Sequence, residues 1–313
     1  MLSKEKGSNH NRISLTGGDR VFVTINGILL ALFFCITLYP MLYVLSASFS
    51  DPNAVASGEM VLFPVRPSMQ CYQYLSGYKE IWIGYGNTFF YTIIGTLMNL
   101  AATLPCAYAL SRRDIGGRGF VMTLFVITMY FGGGLIPSYL NIRALGLLNT
   151  RWVMLLNGLV SAYNLIVART FFSNTIPWEL HEAAFLDGCS DFRLFTKIIL
   201  PLSAPIVVVM ALYYGVGHWN AYFNAFIYLS DRTKFPLQVF LKEILMQSKF
   251  AENEMLQGGD FTPEQLLAMT RMTETANMLK YGIIVISTVP MLCIYPFLQR
   301  YFAKGVMIGS VKG

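Results

Sequence analysis

The chain of 313 residues is 55% hydrophobic and only 13% charged. A soluble domain carries about 25% charged residues, so this composition excludes an ordinary soluble fold and points to the bilayer. The net charge of +6 is then no argument for nucleic-acid binding, because basic residues of membrane proteins gather at the cytoplasmic ends of their spans.

In chain order, residues 1–20 read as a flexible cytoplasmic arm carrying Lys4, Lys6, Arg12 and Arg20. Six predominantly apolar runs follow, at about 21–47, 87–110, 119–140, 152–172, 198–217 and 282–297. Each approaches the roughly 20 residues that cross a hydrocarbon core as a helix. The first is too long for the apolar core of a cleaved signal and lacks a small-residue cleavage site, so it reads as a retained span. The expected fold is all-α: one transmembrane domain over 21–313 with six transmembrane helices.

Short polar segments set the orientation. Lys4, Lys6, Arg12 and Arg20, then Arg112, Arg113 and Arg118, then Arg300, Lys304 and Lys312 fall on one side of a six-span chain. Both termini are therefore expected in the cytoplasm, together with a loop at about 173–197. Segments 48–86, 141–151 and 218–281 are expected outside, although Arg143 and Arg151 weaken the asymmetry. Within the last outer segment, Thr262-Pro263-Glu264-Gln265 is a helix start, with a capping threonine, proline at the first helical position and a glutamine able to reach back. Leu266, Met269, Met272, Ala276 and Leu279 recur near helical spacing, predicting a surface helix that leads into the last span.

Cys35, Cys71, Cys106, Cys189 and Cys293 are scattered, as are His10, His181 and His218, so neither a disulfide framework nor a metal site is indicated. The spans hold almost no ionisable side chains; Arg169 lies where it can snorkel. Ion-coupled transporters often place carboxylates or histidines at membrane depth, and none can be nominated here. Nor does Gly132-Gly133-Gly134 lead into the lysine of a phosphate-cradling loop. The chain is thus expected to be no enzyme, to bind no cofactor and to take any driving energy from another polypeptide.

Pro40, Pro105, Gly132-Gly133-Gly134, Pro137, Pro201, Pro205 and Pro290 interrupt the spans and suggest moving parts. Asn87, Asn157, Tyr163, Asn164, Tyr213, Trp219 and Asn220 are candidates for a substrate pathway, because aromatic faces and amides suit a hydroxyl-rich solute. They equally suit interfacial anchoring and helix–helix hydrogen bonds.

The loop at 173–197 has a legible local structure. Pro177-Trp178-Glu179-Leu180 opens a short helix with proline early and an acid in its first turn. Glu182, Ala183 and Ala184 continue it, and Asp187-Gly188 ends it with a left-handed turn. A second helix then carries Phe192 and Phe195 toward Ile198. Small alanines allow a partner surface to approach closely, and Glu182 offers a carboxylate to a partner's cation.

Glu182-Ala183-Ala184, three residues, Gly188, nine residues, Ile198, one residue, Leu200-Pro201 resembles the docking-loop signature of permease subunits in ATP-driven, binding-protein-dependent importers. From about residue 39 onward the chain is similar to the carbohydrate-uptake, maltose-type branch, above all to oligosaccharide permeases of Gram-positive bacteria. Ser46-Ala47-Ser48-Phe49-Ser50-Asp51-Pro52, Asn87-Thr88, Gly133-Gly134-Leu135-Ile136-Pro137 and Trp219-Asn220 carry that likeness. So does the tail, from Tyr295-Pro296-Phe297-Leu298-Gln299-Arg300-Tyr301-Phe302 to Gly305-Val306-Met307-Ile308-Gly309-Ser310-Val311-Lys312-Gly313.

The resemblance implies a type I importer permease in a bacterial cell membrane. Its implied partners are a second permease subunit, two ATPase subunits and an extracytoplasmic sugar-binding lipoprotein, with an oligosaccharide as cargo. It implies ATPase coupling through Glu182, Ala183, Ala184, Asp187 and Gly188, and a segment near 242–261 that reaches into the binding protein. Two other readings of the residues stay open at this point: a self-sufficient channel or facilitator, and a membrane-anchored receptor or assembly protein.

Overall fold

A computed structural model describes residues 16–256 and 262–309. Two compact units divide the chain, Met1–Ser68 and Met69–Gly313.

In the first unit, helix α1 spans Gly17–Ser48. Thr16 and Asp19 close a reciprocal capping box at its start, so the helix takes in the last residues of the expected arm. Its apolar side chains are exposed along most of its length, as a lipid-facing helix requires. At the end of α1 and just beyond it, serines of the Ser46–Pro52 stretch fasten the returning chain. Ser46 Oγ donates to Leu62 O (2.6 Å) and Val65 N donates to Ser50 Oγ (3.1 Å). Asp51 caps the short helix α2, Pro52–Ala56, through the amides of Asn53 and Ala54.

The second unit is built around one long helix. After α3 (Gln70–Gly77), α4 runs from Lys79 to Ser111. Between Ile81 at one end and Leu104, Tyr108 and Leu110 at the other, its buried face carries Gly84, Asn87, Thr88, Tyr91, Gly95, Asn99, Thr103 and Ala107, mostly small or polar residues at helical spacing. In a bilayer such residues make helix–helix interfaces, because close backbone approach and hydrogen bonds replace hydrophobic drive. Helices α5 (Arg118–Tyr130), α6 (Leu135–Ala144), α7 (Arg151–Leu156) and α8 (Ala162–Thr175) follow. Next come α9 (Trp178–Leu186), α10 (Asp191–Leu194), a π-helical turn over Phe195–Ile199, α11 (Leu200–Leu202) and α12 (Ala204–Trp219). The remaining helices are α13 (Phe223–Tyr228), α14 (Leu237–Leu256) and α15 (Pro263–Gly309).

The protein is an all-α, membrane-spanning molecule, and the six apolar runs fare unequally. Among the described residues two helices are long and apolar enough to cross a membrane, α1 and α4, or up to four spans if two bent pairs each count as one. The run at 119–140 is broken between α5 and α6 with a bend of 117°, and the run at 198–217 bends by 83° before α12. The run at 152–172 is not one helix either: residues 157–161 separate α7 from α8. Glycines supply the reason at the first and third of these breaks, whereas the bend before α12 falls at Ser203 between Pro201 and Pro205. Gly134 and Gly158 hold φ of +85° and +79°, a left-handed backbone that no helix continues through. Hydropathy sums side chains and is blind to such a φ. The last apolar stretch, Leu279–Ile294, lies inside α15, so the predicted surface helix and last span are one continuous rod. Thr262 and Gln265 do exchange the expected capping bonds (3.0 and 3.4 Å). Of the predicted apolar stripe, Ala276 and Leu279 are buried, whereas the side chains of Leu266, Met269 and Met272 lie outside the described residues. The segment expected to meet a binding protein, 242–261, is helical to Leu256, and 257–261 lie outside the described residues. So do 1–15 of the arm and 310–313 of the tail.

Candidate coupling loop and solute pathway

The loop after α8 is stamped by local chemistry. Pro177 sits at the N-cap of α9 with Glu179 in the first turn, and Asp187 caps its far end. Gly188 then turns left-handed at φ +68°. Two bonds close that turn: Cys189 N donates to Ala184 O (2.9 Å) and Gly188 N to Phe185 O (3.0 Å). This is the paired six-to-one and five-to-two arrangement that ends a helix on glycine. Ser190 accepts from Arg193 N to start α10.

The loop presents one face and anchors the other. Glu182, Ala183, Asp187 and Gly188 are exposed, and Ala184 is buried. Ala184, Leu194 and Ile199 join a core with Leu104 and Ala107 of α4, Leu165 and Phe172 of α8, and Ile206 and Met210 of α12. Outward stand Phe185 at 81% exposure, Leu186 at 84% and Phe192 at 79%. Residues 182, 185 and 186 share one helical face, so the acid and two large apolar side chains form a single projecting patch.

Three contacts tie the loop, and the helix α8 that leads into it, to the end of α4. His181 stacks between Trp178 (4.9 Å) and Tyr108 (5.7 Å). Arg112, just past α4, pairs with both Asp114 and Asp191 of α10. Its hydrogen bonds to Asp114 hold that carboxyl below the usual carboxylate range. Arg169 of α8 donates to Leu110 O (3.1 Å). The sequence reading used Arg112 only as a topology charge and missed this second role. Its partner Asp191 lies 79 positions away, so no local pattern could have linked them.

The seven pathway candidates do not come together as one site. Asn87 is buried and engaged: its amide donates to Thr233 O (2.7 Å) and Phe235 O (3.0 Å), and Arg151 donates to its oxygen (3.2 Å). Thr88 accepts from Leu237 N (2.9 Å) and Tyr91 donates to Lys234 O (2.8 Å), so this end of α4 pins the segment between α13 and α14. Trp219 is 2% exposed and donates from its indole to Ser287 O (2.9 Å), bracing α12 against α15. Asn164 is buried as well. Asn220 bonds back to Val216 O (3.0 Å) at the edge of a cavity of about 470 Å³ that Gln238, Ser287 and Thr288 also line. Asn157 is exposed in the break between α7 and α8. Tyr163 and Tyr213 are exposed and lie 6.5 Å apart on α8 and α12.

A family model for the binding-protein-dependent transport system inner membrane component matches residues 81–253 of this fold. The chain belongs to that family. It is 39% identical over 296 residues to the polygalacturonan/rhamnogalacturonan transport system permease protein YtcP of Bacillus subtilis (strain 168), covering 94% of this chain and 99% of that protein. It is 38% identical to protein LplC of the same organism, covering 95% and 97%. A solved bacterial ABC transporter involved in the import of the acidic polysaccharide alginate contains a similar chain, with a TM-score of 0.80 and 34% identity. That match covers 92% of this chain and 98% of the other. This permease is therefore a non-catalytic, multi-pass subunit of a bacterial membrane importer that forms half of a translocation pathway and is coupled to a separate ATPase.

Proposed function

We propose that this permease carries oligosaccharides, and that ATPase movement enters it through Glu182, Ala183, Ala184, Asp187 and Gly188. The observation that carries the proposal is the projecting patch of Glu182, Phe185 and Leu186 on a helix whose opposite side is rooted in the core of α4, α8 and α12. A patch so rooted can be pushed without unfolding, and the push reaches the long helices directly. The family relationship supports the rest of the proposed assembly: a second permease subunit, two ATPase subunits and an extracytoplasmic sugar-binding protein. The six-run pattern supports a type I arrangement with both termini cytoplasmic, in which the bent and broken helices count as interrupted spans. Over 21–313 these form one permease domain.

Within the pathway, Asn157, Tyr163, Tyr213 and Asn220 have the accessibility a solute contact needs, whereas Asn87, Asn164 and Trp219 are buried within the chain. Oligosaccharide cargo fits exposed tyrosine rings and amides, and the relatives named for polygalacturonan/rhamnogalacturonan and alginate transport point the same way. The test is Glu182→Lys in the assembled complex reconstituted into vesicles. Insertion should be normal and ATP hydrolysis should continue, with sugar uptake per ATP falling severalfold. Unchanged uptake would remove the loop from the coupling path, and solute flux through the purified chain alone would favour a self-sufficient facilitator.

A further inference from the structure

The break between α7 and α8 is held by two polar rungs that reach it from other helices. In the first, Asn99 of α4 donates from its amide to Leu159 O (2.7 Å) and Gly158 O (3.3 Å). Its oxygen lies 2.7 Å from His218 Nε2 of α12. An amide oxygen only accepts, so His218 carries its proton on Nε2. In the second rung Ser161 N donates to Tyr214 Oη (3.1 Å), and the phenol shares a second hydrogen bond with Thr103 Oγ1, 2.7 Å away. The rungs are one helical turn apart on both supporting helices: Asn99 and Thr103 on α4, Tyr214 and His218 on α12. Gly95, a turn before Asn99, has no room for a side chain, because a β-carbon there would run into the His218 ring. The missing side chain lets α12 close on α4 at the first rung.

The position of the break gives the rungs a purpose. On the type I reading proposed above, in which the run at 152–172 is an interrupted span, the fourteen residues of α8 rise about 21 Å at about 1.5 Å each, which puts residues 157–161 within a core about 30 Å thick. Non-helical backbone at that depth persists only where it is buried in protein or lines a water-filled cavity. The first condition is met here by the rungs, which take up the carbonyls of Gly158 and Leu159 and the amide of Ser161, while the side of the break at Asn157 and Gly158 is exposed, as is Tyr163 at the start of α8.

We propose that Asn99, Tyr214 and His218 are positioning residues for transport, two rungs that hold the unwound segment 157–161 against the solute pathway. This rests on the pathway reading above and adds what keeps Asn157 and Tyr163 in place. The sequence reading left His218 outside the fifth run; the structure carries α12 on to Trp219 and makes His218 part of a rung.

The test uses the full assembled complex in lipid nanodiscs, with single-cysteine chains and the charged thiol reagent 2-sulfonatoethyl methanethiosulfonate. Reporters are Asn157→Cys and Leu159→Cys; native Cys189 in the coupling loop is the control. Asn157→Cys should react in at least one nucleotide state. Asn99→Leu, His218→Leu and Tyr214→Phe should each speed the reaction of Leu159→Cys on the order of tenfold, since each leaves a polar backbone group or its partner unpaired. His218→Gln, which restores a donor toward Asn99, should bring the rate back, and Cys189 should not respond. Unchanged Leu159→Cys rates, no rescue by glutamine, or equal acceleration at Cys189 would overturn the rungs while leaving the pathway reading standing. An Asn157→Cys that never reacts would instead refute the pathway reading, and this role with it.

Discussion

Replacing Gly188 with alanine isolates the backbone contribution to the coupling loop. The residue holds φ +68°, and a β-carbon built on it meets no atom within 4 Å, so the substitution adds no clash with neighbours. All of its cost is conformational: an L-residue in the left-handed region loses roughly 1–2 kcal/mol. Divided by RT, that range opens the turn about fivefold to thirtyfold more often. Two amides report the opening, Cys189 N on Ala184 O and Gly188 N on Phe185 O. Hydrogen exchange on the assembled complex should show the amide of residue 189 exchanging faster in Gly188→Ala by that factor. Gly188→Asn should fall between glycine and alanine, because asparagine tolerates this region better. Sugar uptake per ATP should fall in the same order, with insertion unchanged. Equal exchange in the glycine and alanine proteins would refute the view that this turn depends on a left-handed backbone. Slower coupling without faster exchange would place the effect on the partner's surface instead.

Two further outcomes follow from the contacts around α4. Thr88→Val removes the acceptor for the buried Leu237 amide at constant volume, at a cost of about 1–3 kcal/mol. Thr88→Ser should cost less, and the order of thermal unfolding midpoints in detergent checks both. For Arg112 and Asp191, a double-mutant cycle to glutamine and asparagine should give a coupling of about 0.2–1 kcal/mol, since Asp191 is largely exposed. Uptake per ATP measured across the same cycle tells whether the pair transmits force: an additive result would reduce it to a surface ion pair.

Local chemistry alone made the loop at 173–197, the proposed coupling loop, readable. Pro177, Glu179, Asp187 and Gly188 act within a turn or two of chain, so the start, the end and the left-handed exit of α9 followed from propensity and capping. The same holds for Thr262 and Gln265 at the head of α15. Composition likewise identified the molecule as a membrane protein, because burial in lipid is a demand on side chains summed over a segment. The Glu182–Pro201 spacing marked the family.

Tertiary structure decided what those elements do to one another. At Gly158, glycine's permission for positive φ became a break whose freed backbone groups Asn99 and Tyr214 take up from neighbouring helices. Asn87 and Trp219, plausible solute contacts by residue type, are spent on Phe235 and Ser287, partners 148 and 68 positions away. His218 became part of a rung through Asn99, 119 positions distant, and Arg112 became an anchor of the coupling loop through Asp191. Hydropathy and capping act over a few residues, whereas a hydrogen bond between helices depends on which faces meet, and only the packed chain fixes that.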